Sequence, residues 1–168
     1  MKTLFHALLL MGIGVICHGQ SSKNNDDVIR VANSFFNSWN KHDFSDMESY
    51  TTDDITCVIN AGLLWKGRVR VKTAHENAHQ GLMKKTSFIP EPQSISPRFI
   101  TQDVAVVTLT AKMDAYYPPD GVDRGNNKAG DVRIMVTIVK VKKNGKWLIT
   151  AIQGTDINPQ AEANVQHD

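Results

Sequence analysis

Residues 131–155 read DVRIMVTIVKVKKNGKWLITAIQGT, and this stretch decides the fold. Apolar, β-branched residues alternate with polar ones on both sides of Asn144-Gly145. A two-residue type I′ turn needs positive φ at both central positions, and Asn-Gly meets that demand with little strain. The stretch therefore reads as a β-hairpin, with strands over 131–143 and 147–155. The period of two continues upstream into strands over 87–99 and 104–115, and successive hairpins of this kind imply an antiparallel sheet. Residues 116–130, with two prolines and three glycines, form a long loop between neighbouring strands, a candidate lid or rim.

Before residue 81 the period is helical. Val28, Val31, Ala32, Phe35, Phe36 and Trp39 recur at three- and four-residue spacing, one amphipathic helix ending near Asn40, with Asn25 or Asp26 available as its N-cap. A second, short helix is capped by Asp43, or by Ser45 with Glu48 as a capping box, and turns Phe44, Met47 and Tyr50 inward. Residues 55–60 are β-rich, Ala61-Gly62 turns the chain, 63–65 return as a short strand, and Gly67 releases it into a third helix over 69–80. Three helices followed by a long meander give an α+β class. Both are buried by a strongly curved antiparallel sheet wrapped around the helices, a cone with an open end where function is expected.

The N-terminus reads as a signal peptide over 1–19: Lys2, an apolar run over 4–16, then Cys17 at −3 and Gly19 at −1. Export to the periplasm or outside the cell is expected, followed by a polar lead over 20–26, the domain over 27–157 and a polar, disordered tail over 158–168. Two alternatives remain open, an uncleaved anchor and a lipoprotein. The run is short and broken for the first, and for the second Ile16 sits where a small residue is wanted. About 150 mature residues support one domain with a real core and no need for staples. Cys57, in an apolar strand pattern, reads as buried packing, and after cleavage it has no disulfide partner in the chain. A formal net charge of +2 with interspersed signs gives no footprint for nucleic acid, and no membrane association is expected after cleavage.

Six short segments then carry a resemblance: Ser38-Trp39-Asn40-Lys41-His42-Asp43, Trp65-Lys66-Gly67-Arg68, His75, Asp103-Val104-Ala105-Val106-Val107, Gly145-Lys146-Trp147-Leu148-Ile149 and Gln153-Gly154-Thr155-Asp156. In order and spacing they resemble the SgcJ/EcaC branch of SnoaL-like proteins, within the nuclear transport factor 2-like superfamily. The resemblance runs over about 28–157. It implies a cone-shaped fold, frequent homodimers through the sheet, and a pocket that different members use for isomerisation, cyclisation, dehydration or plain binding. Where the family often has Gln-Asn-Thr near its end this chain has Gln153-Gly154-Thr155, and its Asn60 falls one position later than the family's asparagine.

The resemblance matches His75 to a helix histidine facing the pocket, and a histidine can exchange protons near neutral pH; the alternative is a structural histidine. By period two the last strand places Trp147, Ile149, Ala151, Gln153 and Thr155 on one face, which ends an apolar row with two polar side chains. Either those two meet a ligand or they have reached the exposed strand end. Trp39, Tyr50, Asn60 and Trp65 complete the candidate pocket, although aromatics at such spacing also build ordinary cores.

His75-Glu76-Asn77-Ala78-His79 also reads as H-E-x-x-H, two histidines a helical turn apart that can hold zinc. Neither a third ligand nor the longer protease continuation follows, so no metal and no cofactor are expected. No carboxylate is committed to an apolar strand, because Asp103 and Asp131 lie at strand ends and Asp114 near one. That weakens an isomerase that abstracts protons with an aspartate base. The expected function is an exported protein whose pocket binds, or isomerises, cyclises or dehydrates, a small and largely apolar molecule. Its rivals are a non-enzymatic dimeric binding module and, remotely, a zinc hydrolase.

Overall fold

The computed structural model describes residues 16–114 and 132–164. The expected loop over 116–130 and most of the expected signal peptide lie outside the described residues.

Helix α1 runs over Ile16–Lys41. It starts well before Val28, because nothing between Gln20 and Asp27 is a glycine or proline that would stop it; Asn25 and Asp26 are helical residues rather than caps. Its buried stripe is Val28, Ala32, Phe35, Phe36 and Trp39, spaced as one face of a 3.6-residue period. The expected second helix is a single 3-10 turn, Met47–Ser49. Phe44, Met47 and Tyr50 are nonetheless buried, and Asp43 Oδ1 accepts from the Ser45 N–H at 2.8 Å, ordering the turn without a helix.

Strands β1 (Thr51–Val58) and β2 (Leu64–Lys66) form a hairpin, and helix α2 (Arg68–Gln80) follows. The remaining strands are β3 (Phe88–Pro90), β4 (Ser96–Thr101), β5 (Val104–Met113), β6 (Val132–Lys143) and β7 (Lys146–Asp156). The single strand expected over 87–99 is split in two because Pro90, Pro92 and Pro97 cannot donate to a ladder. A 3-10 turn, Pro92–Ser94, occupies the break. There Ser94 Oγ accepts from the Thr110 N–H at 2.8 Å, replacing one ladder bond.

The sheet order is β2-β1-β7-β6-β5-β3, with β4 also on β5. The pairings β3·β5, β4·β5, β5·β6 and β6·β7 are antiparallel, as the hairpin pattern requires, but β1 lies parallel to β7. The sheet is therefore mixed, because β1 and the last strand are brought together by a crossover through the whole domain. Asn144 and Gly145 have φ of 51° and 76°, the type I′ geometry.

One irregularity matters for the site. In the β6·β7 ladder Val139 pairs Ala151 while Lys140 pairs Ile149, so Thr150 is an extra residue, a β-bulge. Beyond it the sides of β7 exchange: Trp147 and Ile149 are buried before the bulge, Ile152 after it.

The tail is also ordered as far as helix α3 (Pro159–Asn164). Asn158 Oδ1 accepts from the N–H groups of Gln160 and Ala161 at 2.9 and 3.3 Å, with proline in the first turn. Arg133 Nη1 holds both Glu162 oxygens at 2.8 Å. No described helix is long and apolar enough to cross a membrane.

Candidate functional site

A cavity of about 50 Å³ lies between the helices and the sheet. Its wall is built from Phe35 and Trp39 of α1, His75 of α2, Cys57 and Val58 of β1 with Ile59 and Asn60 after it, Phe88 of β3, Met113 of β5, Ile134 and Val136 of β6, and Ile152 and Gly154 of β7. This space suits a few heavy atoms and is well below the usual volume for a drug-sized ligand.

His75 is the polar centre of this wall. It is 2% exposed and ringed by Phe35, Trp39, Phe44 and Trp65, with centroid separations of 5.0–5.8 Å. Its Nδ1 lies 2.8 Å from the Val71 carbonyl, which can only accept, so the proton sits on Nδ1 and Nε2 keeps a lone pair. No described residue bonds that Nε2. Burial pushes the imidazole down to about 4, against a smaller upward pull from the Val71 bond. His75 is thus a neutral hydrogen-bond acceptor across the physiological range. Burial likewise pushes the Cys57 thiol up to about 12, leaving it protonated and unreactive.

Of the residues singled out in the sequence, Trp39, Asn60 and His75 share this wall. The Trp39 indole N–H donates to the Thr86 carbonyl at 3.1 Å, and Asn60 Nδ2 donates to Asp156 at 2.7 Å. Tyr50 is elsewhere: its hydroxyl donates to Ser38 Oγ at 3.0 Å, and Ser38 donates to Asp46 at 2.8 Å. Burial raises that phenol, so it stays protonated. Trp65 touches the far side of His75 without lining the cavity.

Gln153 and Thr155 are exposed, on the opposite side of the sheet. The period-two row placed them inside, and the bulge at Thr150 puts Ile152 and Gly154 there instead. Gly154 stands where the family resemblance expects asparagine, and a Cβ at that position would meet Ile134 Cγ2 at 3.4 Å. A glycine inside a strand was the one sequence signal for close approach. The other wall residues are apolar and indistinguishable from core by composition.

The H-E-x-x-H residues do not form an open site. His75 and His79 are 2% and 5% exposed, and Glu76 is paired with Lys72. His79 Nδ1 faces His42 Nδ1 at 2.6 Å, away from any contact with Glu76. Burial, reinforced by His42 and His75, pushes His79 down to about 3. Among the described residues no three His, Cys, Asp or Glu side chains gather as a metal site.

Solved structures share this architecture. A protein with a cystatin-like fold from Caulobacter vibrioides is 23% identical, with 85% of this chain and 96% of that one covered and a TM-score of 0.75. A nuclear transport factor 2-like superfamily protein from Salmonella enterica serovar Typhimurium is 12% identical, with 88% and 99% covered and a TM-score of 0.68. A ketosteroid isomerase-like protein from Erwinia carotovora atroseptica is 12% identical, with 82% and 98% covered and a TM-score of 0.65. At these identities the likeness shows the fold. No curated protein matches the sequence significantly. Residues 28–154 match the SnoaL-like domain, nearly all of the helix-and-sheet body described above, and the chain belongs to that family.

Proposed function

We propose that this chain is an exported small-molecule-binding protein of the SgcJ/EcaC branch, holding a compact, largely apolar ligand that donates one hydrogen bond to His75 Nε2. The observation that carries this reading is an imidazole nitrogen, His75 Nε2, to which no described residue donates, on the wall of a largely apolar cavity. Export rests on the leader pattern over 1–19.

Turnover is the second reading, supported by the family and by the ketosteroid isomerase-like neighbour. In it Nε2 takes a proton from the bound molecule, for isomerisation, cyclisation or dehydration. Against full proton abstraction, no carboxylate among the described residues lines the cavity to balance an imidazolium. Binding is therefore favoured.

The test is His75→Phe, which keeps the aromatic packing and removes the acceptor. Native mass spectrometry of the exported chain should find an organic adduct on the wild type, and NMR titration with phenol as a compact probe should shift the Gly154 and Asn60 amides. The variant should fold and bind phenol about tenfold more weakly, the worth of one neutral hydrogen bond. Equal binding by the variant sinks the role of His75.

We also propose a homodimer through the outer sheet face, where exposed Met135 and half-buried Val104, Val106, Val139, Val141 and Leu148 lie together across β5, β6 and β7. Val139→Lys should convert a dimer to monomer in analytical ultracentrifugation. A wild-type chain that sediments as a monomer at high micromolar concentration removes this proposal.

A further inference from the structure

His79 has a partner the sequence did not suggest. Its Nδ1 and that of His42 lie 2.6 Å apart where the ends of α1 and α2 meet. His42 is exposed and His79 is 5% exposed, so one imidazole is fixed in the core and the other is free to adjust at the surface.

The tautomers follow from the surroundings. His79 Nε2 is buried with no hydrogen-bond partner, and its ring meets Trp39 and Phe44 edge to face at 4.6 and 5.0 Å. Among π clouds an N–H gains a weak contact and a bare lone pair gains nothing, so the proton belongs on Nε2. Nδ1 then carries a lone pair aimed outward at His42, whose Nδ1 must supply the proton between them.

His42 itself sits in the left-handed region, with φ of 55°, just past the end of α1. That position usually takes glycine, and a histidine there costs roughly 1 kcal/mol. Its backbone is held by the His42 N–H donating to the Trp39 carbonyl at 2.9 Å and the Asp43 N–H donating to the Ser38 carbonyl at 3.0 Å. Backbone strain at a non-glycine residue that presents a ligand-type side chain is the pattern of a functional position.

We propose that His42 and His79 bind a divalent transition-metal ion of the Cu2+ type, their two Nδ1 atoms filling adjacent corners of a tetragonal plane and water filling the rest. The metal replaces the shared proton, which moves to solvent-facing Nε2 of His42. Spacing selects the geometry. At a metal–nitrogen bond of about 2.0 Å, neighbouring corners of a square plane lie about 2.8 Å apart and those of a tetrahedron about 3.3 Å apart. The observed 2.6 Å is nearer the first, and exposed His42 is the ring free to turn until both lone pairs converge on the metal. His75 takes no part, since its Nδ1 is committed to Val71.

The experiment uses the untagged chain titrated with Cu2+, followed by tryptophan fluorescence and by electron paramagnetic resonance. One Cu2+ per chain, quenching of the indole beside His79, and coupling to two equatorial nitrogens are expected, with Cu2+ preferred over Zn2+. His42→Gly suits the backbone, should keep the fold by circular dichroism, and should lose at least tenfold in affinity. No stoichiometric uptake by the wild type, unchanged affinity in His42→Gly, or a preference for Zn2+ each overturns the site.

Discussion

Trp39→Ala should lower the stability of the domain by about 3–5 kcal/mol, the usual cost of emptying a core aromatic site. The indole is 7% exposed and touches Phe35, His75, His79 and Phe88, so one ring joins both helices to β3. Its N–H bond to the Thr86 carbonyl ties α1 to the segment before β3. Truncation removes the contacts and the bond together, and it opens the cavity wall. In a domain of this length the melting temperature should fall by about 10 °C. Trp39→Phe keeps most of the ring and should recover more than half of the loss. The check is urea unfolding of both variants beside the wild type. A loss under about 1 kcal/mol for the alanine variant means that the ring is not where the structure puts it.

Lys140→Met should make the protein more stable at neutral pH, by about 1–4 kcal/mol. Lys140 faces inward on β6 between Ala105 of β5 and Ile149 of β7, is 0% exposed, and among the described residues its ammonium reaches only the Val28 carbonyl of α1. Burial alone pushes its amine down to about 7. An unfolded lysine titrates near 10.4, so between about pH 7 and 10 the unfolded chain binds the extra proton. Stability from this group therefore rises with pH across that window and is flat below it, where both states are charged. The full span is on the order of 4 kcal/mol, and less if water reaches the amine. Methionine fills the same volume without the charge and should flatten the slope. Unfolding free energies from pH 6 to 10 test this directly. Parallel curves for wild type and variant would show that the amine is solvated.

The parts of the fold set by local periodicity were legible. The Asn144-Gly145 hairpin, the inward face of α1 and the bounds of α2 follow from alternation, turn chemistry and helical spacing. The parallel union of β1 with β7 was not, because residues so far apart in sequence leave no local trace of their pairing. Of the candidate pocket residues, Trp39, Asn60 and His75 line the cavity, whereas Gln153 and Thr155 fall on the other face because one bulge interrupts the period of two. The approach of His42 to His79 leaves no mark in the sequence, since proximity between two helix ends is a tertiary fact.

Thr150 has a consequence for how this protein could diversify. The side chains of β7 are assigned to cavity or surface by counting from the bulge, so drawing Thr150 into the ladder as an ordinary paired residue would exchange them. Gln153 and Thr155 would turn toward the cavity while Ile152 and Gly154 turned to water. A lineage could thus trade an apolar chamber for a polar one by regularising a single ladder step, with every residue still spelled as before, whereas deletion of Thr150 would leave the chamber as it is.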